Sequence, residues 1–474
     1  MSEATGRYHR QQILPMIGEA GMARLRQASV LLIGVGALGG TIADQLVRAG
    51  IGRLRLVDRD LVDWTNLHRQ VLFSEQDARD ATPKAIAAAV RLAAVNSDVA
   101  LDPLVLDVHS ANIEQLAGFP HETATVTAAG LASGGRKSPG LSTPRPERAH
   151  EALIPDAAQL TRSPDAQLPA LITPFRADLI LDGTDNAETR YLINDLAVKH
   201  GIPWVYGACV GVEGRIMPIL PGRGPCLRCI FPQSPRSGEL ATCDTAGILG
   251  PAAAVIAALQ ASLAIRILVS DENSDWSPVN RGALSTVGNG AMITSSSSPL
   301  GEAGRGLDSA HEMNAAQVEM IRTGDDTPVS ISDSATASPE SGHSDPIHLL
   351  SLDAWTLRVH ALDVTNARQP DCPACGLRRF DFLSLPLEIN AAALCGRHAV
   401  QVRSGLTIST LDLTEIARRL TSAGQVQALP YLVRCKLTHS PQITLSVFAD
   451  GRTVVDGTTD IAQARTLVAR YVGA

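Results

Sequence analysis

The chain has 474 residues, 45% of them apolar and 19% charged, so it can bury a sizeable core and is not disordered throughout. Lys and Arg total 41 against 48 Asp and Glu, and the net charge of −7 argues against bulk binding to nucleic acid or an anionic membrane. The opening MSEATGRYHRQQIL has no apolar stretch after its basic residues, so no secretory leader is expected and a cytoplasmic location is the default.

In chain order, Ser29 to Ile33 (SVLLI) is a short apolar run that ends in the glycine turn Gly34-Val35-Gly36-Ala37-Leu38-Gly39, and Thr41 to Ala49 continues at helical spacing. A second run, Leu54 to Val57, ends at Asp58 and completes the βαβ unit of a nucleotide-binding sheet. A helix from Pro83 to Asn96, a strand at Leu104 to Leu106, a strand at Leu179 to Asp182, a helix over Glu188 to His200 and a strand at Trp204 to Tyr206 follow. This alternation predicts an α/β fold, Rossmann-like, with a mainly parallel sheet and helices on both faces. Ala246 to Ile265 is long and apolar enough to span a bilayer, but Pro251, Gln260, Ser262 and many alanines predict a helix buried in a protein core or a subunit interface.

Two stretches, about 120–175 and 277–346, concentrate Pro, Ser and Thr without a sustained period and are expected to be flexible insertions. They divide a region of residues 1–376. Residues 377–474 predict a small α+β module: a helix at Asp412 to Leu420, strands at Tyr431 to Leu437, Gln442 to Phe448 and Thr453 to Val455 with Asp450-Gly451 as the hairpin turn, and a final helix over Asp460 to Val472.

The glycine turn is the first candidate site. Gly34 permits the tight turn, Gly36 lets phosphate or ribose approach the backbone, and Gly39 permits close helix packing, while the helix start offers free amides to an anion. Asp58 is placed to accept from ribose hydroxyls. To this point an NAD-dependent oxidoreductase fits equally well. Arg69 and Lys84, two cations near the same turn, suit a triphosphate better than a dinucleotide, unless they are solvated surface charges. Asp182-Gly183-Thr184-Asp185-Asn186 ends a strand where such folds bind ligands; a carboxylate there suits Mg²⁺ on phosphates, and Asp185 or Asn186 could instead cap the next helix.

The pairs Cys226/Cys229 and Cys372/Cys375 are two Cys-x-x-Cys knuckles and predict one tetrahedral zinc site, with a redox dithiol or disulfides as alternatives. Their separation costs little extra loop entropy, which grows only logarithmically with length. Cys243, just before the apolar helix, is a candidate nucleophile or an unreactive core thiol. Cys209, Cys395 and Cys435 have structural surroundings.

Taken together, Arg7-Tyr8-His9-Arg10-Gln11, the glycine turn, Val57-Asp58-Arg59-Asp60, Asn66-Leu67-His68-Arg69-Gln70, Pro83-Lys84, Asp182 to Asn186, Gly207 to Gly214, both knuckles and Thr242-Cys243 resemble the ThiF/MoeB family of adenylyltransferases that activate ubiquitin-like sulfur carriers. The resemblance covers residues 7–376 apart from the insertions. It implies ATP over the glycine turn near Ala37, ribose on Asp58, Asp60 among the ATP-binding residues, phosphates near Asn66, Arg69 and Lys84, Mg²⁺ held by Asp185, and Asn186 beside the nucleotide. It further implies a homodimer in which Arg10 reaches the neighbouring site, zinc on the four cysteines, and a carrier ending in Gly-Gly whose carboxylate is adenylated with release of pyrophosphate. Cys243 matches a cysteine that in some members links covalently to the carrier. Residues 377–474 do not resemble a rhodanese domain, because Cys395-Gly396-Arg397-His398 lacks the full anion loop, so a separate sulfur donor protein is expected. A scaffold that has lost catalysis is the remaining alternative, along with the oxidoreductase.

Overall fold

A computed structural model describes residues 6–119, 175–235, 243–270, 345–385, 391–394, 398–403 and 411–473. The two expected insertions fall outside these residues except at their edges. The elements described here belong to one unit, Met1–Arg281 with Pro346–Ala474.

Two short helices, α1 (His9–Gln12) and α2 (Gly18–Gln27), precede β1 (Ser29–Ile33), α3 (Ala37–Ala49) and β2 (Arg53–Val57). After α4 (Lys84–Val95) come β3 (Ala100–Leu104), β4 (Leu179–Asp182), α5 (Ala187–His200), and the hairpin of β5 (Trp204–Val210) and β6 (Glu213–Ile219). Then follow α6 (Leu227–Ile230), α7 (Cys243–Ala246), α8 (Gly250–Val269), and a second hairpin of β7 (His348–Asp353) and β8 (Arg358–Asp363). The strand order is β3-β2-β1-β4-β5-β6-β7-β8. β3 through β5 pair in parallel, as expected, and β6 to β8 extend the sheet by antiparallel pairing.

One strand differs from expectation. β3 occupies Ala100–Leu104, not Leu104 to Leu106, and contains Pro103. As the edge strand it tolerates a missing amide, and Asp102, which pairs with the buried Arg55 at 2.7 Å, interrupts its apolar pattern.

The order reverses between β1 and β4, since β2 and β3 lie to one side and β5 to the other. Such a switch point opens a crevice at the carboxyl ends of the strands, where these folds bind ligands. The apolar β1 (Val30 to Ile33) and β4 (Leu179 to Leu181) are buried beneath it. Among the described residues α8 is the one helix long and apolar enough to cross a membrane. It packs against α2, α3 and β5 through Ala253, Ile256, Ala257, Ala261 and Ala264, all buried, as the core reading of Ala246 to Ile265 expected. The nitrogen of its one central carboxamide is satisfied inside: Gln260 Nε2 donates to the carbonyls of Asp182 (2.9 Å) and Val205 (3.4 Å), while its Oε1 is buried without a partner among the described residues.

The C-terminal residues build a second, six-stranded sheet of β9 (Ala391–Leu394), β10 (Ala399–Arg403), β11 (Gly424–Ala428), β12 (Leu432–Leu437), β13 (Thr444–Phe448) and β14 (Arg452–Asp456), with helices α9 (Leu413–Leu420) and α10 (Ile461–Tyr471). Asp412 and Asp460 cap those helices by accepting from Thr414 N–H and Ala462 N–H. Cys435 lies buried in this second core, among Val433, Leu445, Val447 and Val455.

Candidate functional site

The crevice is built from glycines. Gly34 follows β1 with φ of +86°, and a Cβ there would lie 2.6 Å from the Gly183 carbonyl oxygen. A Cβ on Gly39 would lie 1.9 Å from the Gly34 carbonyl oxygen, so the start of α3 presses directly on the β1 loop. Gly36 is different: a Cβ there would meet only Gln70 Nε2, at 3.7 Å, and no side chain caps α3. The first turn of α3, beginning at Ala37, therefore keeps its orphan amides and positive dipole end for an anion. Beside it Gln70 is 5% exposed, with its Oε1 buried and unpartnered among the described residues. The open cradle and uncapped amides fit the phosphates of a nucleotide, and the orphaned Gln70 oxygen, an acceptor, fits one of its hydroxyl or amino donors.

Charged groups converge on the next strand end. Asp58, buried after β2, accepts from Val35 N–H and Asp60 N–H, each at 2.7 Å. Burial pushes its carboxyl above the ordinary value, while Lys84 and the two amides oppose this. Lys84 is 5% exposed and its Nζ lies 2.9 Å from Asp60. Burial works against its charge, but Asp60, Asp58 and Asp185 more than compensate and hold it above the usual lysine range. Lys84 is therefore a fixed buried cation, and the alternative of a solvated surface lysine is excluded. Arg69 is half-buried and donates to the Thr65 carbonyl at 2.7 Å. Asn66 is buried, and its carboxamide oxygen accepts from Asp63 N–H at 3.0 Å, so it also closes the turn that presents Arg69.

At the end of β4 the acidic residues divide their tasks. Asp182 is wholly buried and accepts from Thr184 N–H (2.9 Å), Thr184 Oγ1 (2.7 Å) and Arg190 Nε (3.0 Å), so it is a structural anchor. Asn186 caps α5 by accepting from Glu188 N–H at 2.9 Å. Asp185 stays exposed, and its charge acts on both Lys84 and Arg190. Arg190 and Gln260, which tie this loop down, were not expected from sequence: each stands within an otherwise ordinary helical stretch. Arg10 is exposed on α1, whose flanks are fixed by Asn96 donating to Tyr8 Oη (2.7 Å) and Gln11 donating to the Ala49 carbonyl (2.9 Å).

The two knuckles meet. Cys226, Cys229, Cys372 and Cys375 place their sulfurs within 4.8 Å of one another, at 3.9 Å (226–229), 3.5 Å (226–372) and 3.3 Å (229–375). Tetrahedral Zn–S bonds of about 2.3 Å require S···S separations of about 3.8 Å. The first three thiols are buried. Hydrogen bonds from Cys226 and Cys229 draw the Cys375 thiol down to about 3, and sharing with those partners pushes Cys226 up. The cluster can hold a metal ion.

Cys243 begins α7, and its side chain lies outside the described residues. The backbone that follows is anchored: Gly211 N–H donates to the Gly247 carbonyl at 2.9 Å and Leu249 N–H to the Gly211 carbonyl at 2.8 Å. Gly250 then starts α8 against the backbone of His68 and Arg69. Cys243 is thus seven positions before the glycine that rests on the loop carrying Arg69. Cys209 is buried on β5; Cys395 lies outside the described residues.

A glycine cradle at a sheet switch point, a buried Lys–Asp pair beside it and a four-cysteine cluster able to hold a metal ion define a nucleotide-binding α/β protein. The ThiF family profile matches residues 8–126 and 151–286. The chain is 32% identical over 470 residues, 99% of its length and 100% of the relative's, to the sulfur carrier protein ThiS adenylyltransferase of Bacillus subtilis. It is also 35% identical over 272 residues, 56% of this chain and 79% of the relative, to the sulfur carrier protein adenylyltransferase of Thermus thermophilus. A match to adenylyltransferase and sulfurtransferase MOCS3 of Sus scrofa reaches 34% over 262 residues, 55% of this chain and 44% of the relative. Among solved structures, E. coli MccB with ATP resembles the chain at a TM-score of 0.44 and 16% identity, over 78% of this chain and 74% of that one. The chain belongs to the ThiF family.

Proposed function

We infer that this enzyme adenylates the C-terminal glycine of a ubiquitin-like sulfur carrier, using ATP and releasing pyrophosphate. The observation that carries the reading is the convergence of the open Gly36 cradle with the buried Lys84, tied to Asp60 and within the charge of Asp185. Relatives named as sulfur carrier adenylyltransferases support the same activity, and the near full-length match to the Bacillus subtilis protein favours a ThiS-type carrier.

In this reading Asp58 receives the ribose, the α3 amides near Gly36 and Ala37 receive phosphate, and Asn186 lies beside the nucleotide. Lys84 and Arg69 neutralise charge on the polyphosphate. The carrier carboxylate oxygen bonds to the α-phosphorus as the bond to the β-phosphate oxygen breaks, giving acyl-adenylate and pyrophosphate. The chain contributes alignment and fixed positive charge rather than covalent chemistry. Asp185, exposed at the crevice, would hold Mg²⁺, which shields the phosphate charge when bound. The four cysteines would hold zinc as a structural staple.

Arg10 would complete the neighbouring site in a homodimer. Its place on an exposed helix next to Ile13, Leu14 and Met16, which are 63%, 44% and 73% exposed, supports contact with a second copy. Cys243 would act after adenylation, in a covalent link with the carrier, and a separate protein would donate sulfur. Residues 1–376 would form the adenylating region and 377–474 a separate module, working in the cytoplasm.

The test is ATP–pyrophosphate exchange with ThiS-type and MoaD-type carriers ending in Gly-Gly. Carrier-dependent exchange is expected, strongest with the ThiS type. No exchange with any carrier, or reduction of NAD, would overturn the reading.

A further inference from the structure

The C-terminal sheet reaches the nucleotide loop. Arg452, first residue of β14, is 3% exposed and donates from Nη2 to the carbonyl oxygen of Arg59 at 2.8 Å. Its guanidinium also lies 3.8 Å over the Phe448 ring, with Nε 3.5 Å from Asp450. The Arg59 carbonyl belongs to the same peptide as Asp60 N–H, which donates to Asp58 Oδ1 at 2.7 Å. One planar peptide is thus gripped at its oxygen by the C-terminal sheet and at its hydrogen by the carboxylate placed to receive ribose. The Asp60 side chain, one bond further on, holds Lys84 at 2.9 Å.

A second bridge runs alongside. Asp107 accepts from Arg59 Nη1 at 3.2 Å and from Gln401 Nε2 at 3.3 Å, and it pairs with Arg403 at the end of β10. The Arg59 side chain and the Arg59 carbonyl are therefore both restrained by groups that the C-terminal sheet holds. A module needed only for its own stability has no reason to bury an arginine against this one peptide.

We propose that the C-terminal sheet is a positioning clamp on the Asp58–Asp60 loop, acting through Arg452 and Arg403, so that ATP affinity in the amino-terminal region depends on the C-terminal module. Arg452 and Arg403 are positioning residues: Arg452 touches the loop, Arg403 touches Asp107, which holds the Arg59 side chain, and neither is placed on the nucleotide. With the clamp in place the Arg59–Asp60 peptide cannot rotate, and Asp58 and Lys84 stay in register. The proposal rests on the adenylation reading for the role of Asp58.

The experiment uses the full chain with Arg452→Gln and Arg403→Gln, measuring ATP·Mg binding by calorimetry and ATP–pyrophosphate exchange with the preferred carrier. Losing one buried charged donor should weaken ATP binding about tenfold in Arg452→Gln, with a smaller loss in Arg403→Gln. The KM for ATP should rise in parallel, while kcat at saturating ATP and the KM for the carrier hold. A merely structural role would lower the active fraction, and with it the apparent kcat, at unchanged KM. If circular dichroism shows Arg452→Gln unfolded, Arg403→Gln decides alone. ATP binding and KM equal to wild type in the folded variants overturn the clamp and leave the adenylation reading standing. A wild-type chain that binds no ATP overturns both.

Discussion

Gly36 and Gly39 are three residues apart in one turn, yet alanine at each should fail differently. At position 39 the new Cβ would sit 1.9 Å from the Gly34 carbonyl oxygen and 2.8 Å from its carbon, both backbone atoms at the crowded switch point. Contact this close can be relieved only by lifting α3 off β1, an overpacking cost of about 3 kcal/mol. For a folded unit of more than 250 residues, at about 2 °C per kcal/mol or less, Tm should fall by up to about 6 °C. At position 36 the nearest atom is the movable end of Gln70, at 3.7 Å, so Tm should change by less than about 1 °C. The added methyl would instead stand where phosphate must approach, and the KM for ATP should rise at least about tenfold. Thermal melts with and without ATP, beside exchange kinetics, separate the two effects. Equal Tm losses at both positions, or a Gly36→Ala enzyme with unchanged KM, would refute the assignment of Gly36 to the ligand and Gly39 to packing.

Lys84→Met should cost only about 1–2 kcal/mol in urea unfolding, below the fully buried limit because the Asp60 side chain is 42% exposed, yet lower exchange about a hundredfold or more; normal exchange would remove Lys84 from the site. Arg190→Met strands Asp182, which is wholly buried, and should cost about 3 kcal/mol or more; a loss under about 1 kcal/mol would deny its anchoring role. Metal analysis should find one zinc per chain, and Cys229→Ser should lose it; full retention would contradict the four-cysteine site. Glu114 resists the cost of burial through hydrogen bonds with Lys199 and His200, which hold its carboxyl below the ordinary value. Its contribution is complete above the unfolded glutamate pKa and lost as pH falls through the lower folded one, so the Glu114→Gln deficit should be largest near neutrality and vanish in acid; a deficit independent of pH would be wrong for this pairing.

The residues most legible in the sequence are those whose chemistry is local. The β1 turn, Asp58 and the Asn186 cap announce themselves within a few positions, because a glycine turn, a strand end and an N-cap are set by neighbours in the chain. The knuckles were legible as pairs, and the structure supplied their meeting, made across a separation of 143 residues from Cys229 to Cys372. Less legible was the division of labour among Asp182, Asp185 and Asn186. All three are polar residues at one strand end, and only packing shows that Asp182 is consumed by Arg190 and Thr184 while Asp185 remains at the surface.

What sequence pattern could not carry was the junction between the two sheets. Arg452 reads as a polar residue after a hairpin turn, and the sequence around Arg403 carries no signal, because neither period nor spacing records a partner 393 residues away for Arg452 or about 300 away for Arg403. Desolvating a guanidinium is costly, and here Asp450 and the Phe448 ring of its own module and the Arg59 carbonyl of the first sheet's loop offset that cost together. The polar character of this junction gives it direction: a hydrogen bond to one carbonyl orients one peptide, which apolar packing between the same two surfaces would not do. On the proposed clamp, the second sheet sets the geometry of the Asp58–Asp60 loop through the Arg59 carbonyl, beyond what its packing adds to stability.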